Sequence, residues 1–118
     1  MEHIDRDLIG NIDTNDIEEL ESLYKAILSM KDVNEMHKFF LDLCSKNEIM
    51  SFLHRWQILL RISQGKSYEE IIRELTPDKE DDGRKKQTVS STTISRVKAC
   101  YVNPDGGYRT ALKRIEIK

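Results

Sequence analysis

Apolar residues recur at intervals of three and four along most of the chain, the spacing that places side chains on one face of an α-helix. A first set spans residues 17–28 and a second spans 36–43. A third, at 49–62, is apolar around much of the helix, which favours a central position. Two further sets follow at 68–75 and 108–115. The pattern predicts an all-α protein.

Residues that commonly cap helices precede four of these sets, each followed three positions later by Glu. They are Asn15, Asp32, Ser45 and Ser67. In the Ser-x-x-Glu form, the Ser and Glu side chains each accept a hydrogen bond from a backbone N–H that the helix leaves free. Gly65 is placed to end the third helix as a left-handed cap residue.

The length of 118 residues indicates one domain, and charge divides it unevenly. Residues 1–22 hold eight acidic residues and one basic residue, a net charge of −7, so the remainder carries +5 of the total of −2. We expect residues 1–14 to be a loosely ordered acidic segment and residues 15–118 to form the helical domain. A basic body can bind a polyanion despite the acidic total, although both regions could equally be solvated surface.

The stretch SSTTISRVKACY, at 90–101, begins with five hydroxyl residues in six positions. Its β-branched residues would suit a strand. However, Ile94, Val97 and Tyr101 are separated by three and four positions, and Ser90 or Ser91 is a good N-cap. We therefore predict a helix whose first turns carry short hydroxyl side chains opposite the apolar face.

That arrangement is typical of the recognition helix of a helix-turn-helix, which spans about 67–101 in this chain. The beginning of such a helix enters the major groove, where short side chains permit close approach and contact base edges. The alternative is a solvated helix that happens to begin with Ser and Thr. The residues predicted to contact DNA from this helix are Ser91, Thr92, Thr93, Ser95, Arg96 and Lys98.

The turn of this motif is unusually long, because residues 76–89 separate the two helices. Its bases, Arg84, Lys85 and Lys86, could lie along the DNA backbone, where phosphate contacts add affinity without sequence information. Its acidic residues would have to face away from DNA or mask these bases when DNA is absent. A solvated loop that contacts nothing is the other interpretation.

The order of a long apolar helix, SYEEIIREL, a turn and TTISRVK resembles the Trp repressor superfamily. Within it, LYKAILSMKDVNEMHKFFLDLCSKNEI and ISRVKAC resemble the YerC/YecD-type proteins over roughly residues 20–112. The resemblance implies an intertwined, all-helical homodimer that binds double-stranded DNA as a transcription regulator, with repression the expected direction. A dimer also suits the many large apolar side chains of a short chain, among them Phe39, Phe40 and Trp56.

The resemblance also implies a candidate effector site at Ser45, Arg55 and Arg96, because two arginines hold the corepressor tryptophan in the Trp repressor. Two departures argue against tryptophan here. Val97 occupies the position where tryptophan-binding members have Gly, and Cys100 the position where they have Ser. The two arginines could bind another small anion, or could pair with carboxylates and phosphates.

Little in the sequence favours an enzyme. The three His and two Cys have no metal-ligand spacing, and no glycine-rich phosphate loop or nucleophile elbow is present. We expect no metal, no cofactor, no membrane span, reduced thiols and a cytoplasmic location. The main rival is a non-enzymatic protein-interaction module that does not bind DNA specifically, in which the hydroxyl-rich face of residues 90–101 could be buried.

Overall fold

A computed structural model describes residues 3–76 and 89–115, without the side chain of Thr14. Within these ranges the chain forms helices and no strand, which confirms the all-α prediction. The helices are α1 (Arg6–Ile9), α2 (Thr14–Leu28), α3 (Val33–Leu43), α4 (Lys46–Ser63), α5 (Tyr68–Leu75), α6 (Ser91–Tyr101) and α7 (Gly107–Arg114).

The chain divides into two compact units, Met1–Ile49 and Met50–Lys118, with the boundary inside α4. In the first unit the cap of α2 differs from the prediction: Asp13, two residues before Asn15, accepts the Asn15 backbone N–H at 3.0 Å. The predicted cap of α3 is confirmed, since Asp32 accepts the Glu35 N–H at 2.8 Å.

Glu21 holds His3 and Ile4 against α2. Its carboxylate accepts the Ile4 backbone N–H at 2.7 Å and lies 3.1 Å from His3 Nδ1. These bonds lower the pKa of Glu21, the Ile4 N–H having the larger effect. Residues 3–14 thus include the short helix α1 and are anchored to Glu21 through His3 and Ile4, and the loose order of the segment 1–14 stays a prediction.

The predicted ends of α4 are confirmed. The Ser45 hydroxyl accepts the Glu48 N–H at 3.2 Å, and Glu48 accepts the Ser45 N–H at 2.7 Å. At the other end Gly65 has φ of 82°. The N–H groups of Gly65 and Lys66 bond to the carbonyls of Ile62 and Arg61, the Schellman pattern that leads the chain from α4 toward α5.

The core of the second unit lies where α4, α5 and α6 meet. Its buried side chains are Ile58, Leu59, Ile71, Val89, Ile94 and Val97. The expectation that α4 is central holds only for its second half, because Phe52 is 47% and Leu53 40% exposed in the single chain. The last apolar set, at 108–115, corresponds to α7, which begins at Gly107, and Arg109 joins α7 to α6 by donating to the Tyr101 carbonyl at 3.0 Å.

Glu74 on α5 joins two basic side chains that precede it in the chain. It accepts from Arg61 Nε at 2.9 Å and from Lys66 Nζ at 2.5 Å. Arg61 also donates to the Gln57 carbonyl at 3.0 Å, which fixes the guanidinium along α4. The pair with Lys66, and to a smaller extent that with Arg61, lowers the pKa of Glu74.

Glu74→Gln is expected to lower the thermal unfolding midpoint at pH 7 by a few degrees. The folded-state pKa of Glu74 lies below its ordinary value, so the ionised carboxylate stabilises the fold above the usual carboxyl range, near pH 4.3. That contribution disappears as the pH falls through the lower, folded-state pKa. Unfolding scans from pH 7 to pH 3 should therefore show the two proteins converging at acidic pH. Glu69→Gln, on the same helix and exposed, is the matched control; an equal effect of both changes would contradict the prediction.

No helix among the described residues is both long enough and apolar enough to span a membrane.

Candidate nucleic-acid interface

The predicted start of the hydroxyl-rich helix is present in the structure. Ser90 is the N-cap of α6, and its hydroxyl accepts the Thr93 backbone N–H at 3.2 Å. The same oxygen lies 3.0 Å from the Thr93 hydroxyl. These bonds explain locally why a stretch rich in β-branched residues is helical, since the cap uses a backbone N–H that would otherwise be unpaired. They also occupy Thr93, which is half-buried.

Two buried side chains set the orientation of α6. Ile94 is fully buried and Val97 is 2% exposed. With about 100° between successive residues, Thr92 and Ala99 lie opposite this pair. Ser95 and Arg96 lie on either side of the outer line through Thr92 and Ala99, and Ser91 and Lys98 lie further around the helix. All six of these side chains are exposed. The helix thus presents a surface of short hydroxyls and bases.

Tyr68, the first residue of α5, contacts this surface. Its hydroxyl lies 3.1 Å from Ser95 Oγ. Lys98 Nζ lies 5.7 Å from the centroid of its ring, within the range of a cation–π contact. The apolar spacing at 68–75 predicts only that Tyr68 lies on the apolar face of its helix. The 15 residues between α5 and α6 leave the register of the two helices unspecified by the sequence, so no sequence signal identifies the contact of Tyr68 with Ser95.

One of the two acidic residues in the first turn of α5, Glu70, is hydrogen-bonded in the N-terminal cap of the helix. Ser67 and Glu70 form the predicted capping box, with Glu70 accepting the Ser67 N–H at 2.8 Å and donating its own N–H to Ser67 Oγ at 3.2 Å. The Ser67 N–H is the main cause of the lowered pKa of Glu70. This carboxylate therefore stays ionised and engaged with the backbone over the ordinary pH range.

The three residues of the candidate effector site have different surroundings. Ser45 is committed to the capping box of α4 and belongs to the first unit. Arg55 and Arg96 belong to the second unit, are exposed, and form no ion pair or hydrogen bond within residues 3–76 and 89–115. Val97 packs in the core of the second unit, and the case against tryptophan as the ligand stays a prediction.

A pocket of about 730 Å³ lies elsewhere in the second unit, between the end of α4, the end of α6 and α7. Leu60, Tyr101, Arg109 and Leu112 are among its lining residues, and neither Arg55 nor Arg96 is. Arg84, Lys85 and Lys86, the predicted backbone contacts of the long turn, lie outside the described residues.

Comparison with known proteins assigns the chain to a family. Residues 18–116 match the family model described as Trp repressor protein. The uncharacterized protein YerC of Bacillus subtilis (strain 168) is 36% identical over 98 residues, which cover 83% of each chain. The crystal structure of a TrpR-like protein from Eubacterium eligens ATCC 27750 superposes with a TM-score of 0.67 and 31% identity, covering 83% of this chain and 89% of that one. The chain therefore belongs to the Trp repressor family and is a YerC-type member with a Trp repressor-like fold.

Proposed function

We propose that this protein is a sequence-specific, DNA-binding transcription regulator, not an enzyme, and that it acts as a homodimer through a helix-turn-helix formed by α5 and α6. The observation that carries the proposal is the exposed face of α6 opposite Ile94 and Val97. Membership of the Trp repressor family supports it. We expect repression as the direction of control.

The outer face of α6 suits contact with base edges. Thr92 has a hydroxyl for hydrogen bonds and a methyl group for contact with thymine. Arg96 can donate two parallel hydrogen bonds to guanine O6 and N7, and no ion pair within the described residues holds its guanidinium elsewhere. Because both lie within the first two turns of α6, they belong to the part of a recognition helix that enters the major groove.

A second copy of the chain would explain the exposed apolar residues of the first unit. No apolar side chain described between residues 3 and 49 is buried in the single chain. Exposure of many large apolar groups is unfavourable, at about 25 cal/mol for each Å² that could be removed from water. The most exposed are Leu8, Leu28, Val33, Leu41 and Leu43. Dimerisation would cover such side chains and would place two copies of α6 on one DNA duplex.

Three finer elements belong to the same proposal. An effector other than tryptophan could bind at Arg55 and Arg96. The bases Arg84, Lys85 and Lys86 could contact phosphates. The similar proteins come from bacteria, whose chromosome lies in the cytoplasm, and the protein would act there.

Selection from a randomised pool of DNA duplexes, at two salt concentrations, tests the proposal. We expect an enriched palindromic sequence whose half-sites lie about 34 Å apart, one helical turn, as two copies of a recognition helix require. Weak, salt-sensitive binding without enrichment would overturn sequence-specific regulation by the protein alone. In that case the exposed apolar residues of the first unit would favour the protein-interaction module.

A further inference from the structure

A side chain of α5 contacts two side chains of α6, one through its hydroxyl group and the other, which carries an ammonium group, through its ring. They belong to Tyr68, Ser95 and Lys98. We propose that these three residues form a binding site for one phosphate of a DNA backbone, with Tyr68 as a DNA contact that also holds the other two in place. This inference rests on the proposed function in that it takes DNA as the ligand.

The position of the three residues around α6 favours phosphate over bases. The outermost line of the helix, opposite Ile94 and Val97, passes through Thr92 and Ala99. Ser95 and Lys98 are displaced from that line, both toward the side of the helix that contacts Tyr68. In a helix-turn-helix the first helix crosses the DNA backbone while the second lies in the groove. The side of α6 that faces α5 therefore faces the wall of the groove, which is made of phosphates.

The donors available at this point suit an oxyanion. The hydrogen bond between the Tyr68 and Ser95 hydroxyls uses one of their two protons, at an oxygen–oxygen distance of 3.1 Å. The other proton stays available to an outside acceptor. The Lys98 ammonium adds three donors and a positive charge. A phosphate oxygen can accept from both kinds of donor at once, and hydrogen bonds to a charged acceptor are the strong ones.

Tyr68 also restricts the two side chains it contacts. A lysine side chain on a helix surface loses much rotamer freedom when its ammonium binds a phosphate. The cation–π contact with Tyr68 already limits where the Lys98 ammonium lies, so part of this cost is met before DNA arrives. The Ser95 hydroxyl is likewise oriented in advance. Tyr68→Phe keeps the ring and removes only the hydroxyl, which separates the hydrogen bond from the packing.

The test measures Kd for Tyr68→Phe, Ser95→Ala, Lys98→Ala and the double variant Tyr68→Phe/Lys98→Ala. The probes are the selected duplex, if there is one, and a mixed-sequence duplex, each at four salt concentrations. We expect Tyr68→Phe to raise Kd about tenfold on both duplexes, because the phosphate is present in any sequence, without changing the salt dependence. Lys98→Ala should raise Kd and reduce the slope of log Kd against log salt by about 0.9. The double variant should lose less than the product of the single losses, as expected for side chains that share one phosphate.

Tyr108→Phe is the matched control, because it removes a Tyr hydroxyl from a half-buried residue of α7 that has no hydrogen bond within the described residues. Thermal unfolding distinguishes a structural role of the Tyr68 hydroxyl from a role in binding DNA. If the role is structural, Tyr68→Phe lowers the unfolding midpoint but leaves Kd unchanged at temperatures well below that midpoint. Such a result would overturn the phosphate site, and so would a loss confined to the selected duplex or a Kd equal to that of Tyr108→Phe. Absence of an enriched sequence would refute the proposed function alone, since the mixed-sequence duplex still tests the phosphate site. Failure to bind any duplex at low salt would refute both.

Discussion

Arg96→Ala is expected to raise Kd for a selected operator duplex by about 10- to 100-fold, while Kd for an unrelated duplex rises only severalfold. The guanidinium of Arg96 is exposed beside the outer line of α6 and has no ion pair or hydrogen bond within the described residues. A bidentate contact with guanine distinguishes the correct base by about 1–3 kcal/mol, whereas a general phosphate contact has no such preference. Thr92→Ala should reduce the same preference by a smaller factor. Competition titrations with both duplexes at a fixed salt concentration measure the ratio.

Arg114→Ala provides the control, because it removes the same charge from an exposed position at the end of α7. Its effect on the two duplexes should be equal and small. If Arg96→Ala instead reduced the affinity for both duplexes equally, Arg96 would contact the DNA backbone and not a base. The assignment of α6 as the recognition helix would then lack its main base-contacting residue. The result is independent of the phosphate site around Tyr68, whose variants are expected to affect both duplexes alike.

The helical architecture could be predicted because its signals are local. The caps at Asp32, Ser45 and Ser67, and the left-handed residue Gly65, depend on hydrogen bonds between residues a few positions apart. The β-branched residues at 91–101 favour a strand, whereas the spacing of Ile94 and Val97 predicts a helix. The stretch is helical because burial of one face of α6 outweighs the weak intrinsic preference of Thr and Val for strands.

The contacts that shape the candidate site join residues far apart in the sequence, and no local pattern predicts them. Tyr68 meets Ser95 across a separation of 27 positions, and Glu74 meets Arg61 across 13. Pairs of this kind depend on the register between helices, which the spacing of apolar residues does not specify. The cap of α2 is Asp13 and not the predicted Asn15 for a simpler reason. Both residue types cap helices well, and the spacing of apolar residues fixes the beginning of a helix only to within a few positions.

The case for a regulator depends on how firmly α6 is held. Its outer face points outward only because Ile94 and Val97 are fixed in the core formed with Ile58, Leu59 and Ile71. Thr92 and Arg96 each lie two positions from Ile94. A loss of packing at Ile94 would therefore disturb both stability and the geometry of the face proposed to bind DNA.

Ile94→Ala is consequently expected to have the largest effect on stability among the changes considered. Removal of a fully buried Ile side chain leaves a cavity and lowers the free energy of unfolding by about 2–5 kcal/mol. This is a large part of the total of about 5–15 kcal/mol that holds a typical domain together. The thermal midpoint should fall by more than about 10 °C. Denaturant and thermal unfolding at one protein concentration provide the measurement, since the midpoint of an oligomer depends on concentration.

Two further variants keep this result interpretable if Ile94→Ala does not fold. Ile94→Val removes one methylene group and should cost about 0.5–1.5 kcal/mol, which leaves a folded protein in which the effect can still be measured. Ile115→Ala makes the larger change at a side chain that is 47% exposed, and should cost much less than Ile94→Ala. If the two Ala variants were equally destabilised, Ile94 would not be the residue that fixes α6 in the core, and the orientation of the hydroxyl-rich face would need another explanation.

The Kd of Ile94→Val for DNA tests whether binding depends on the position of α6. If this variant loses stability while its Kd stays unchanged at low temperature, DNA binding tolerates a small shift of α6. A larger Kd in a fully folded Ile94→Val would show that DNA recognition depends on the position of α6 to within a methyl group.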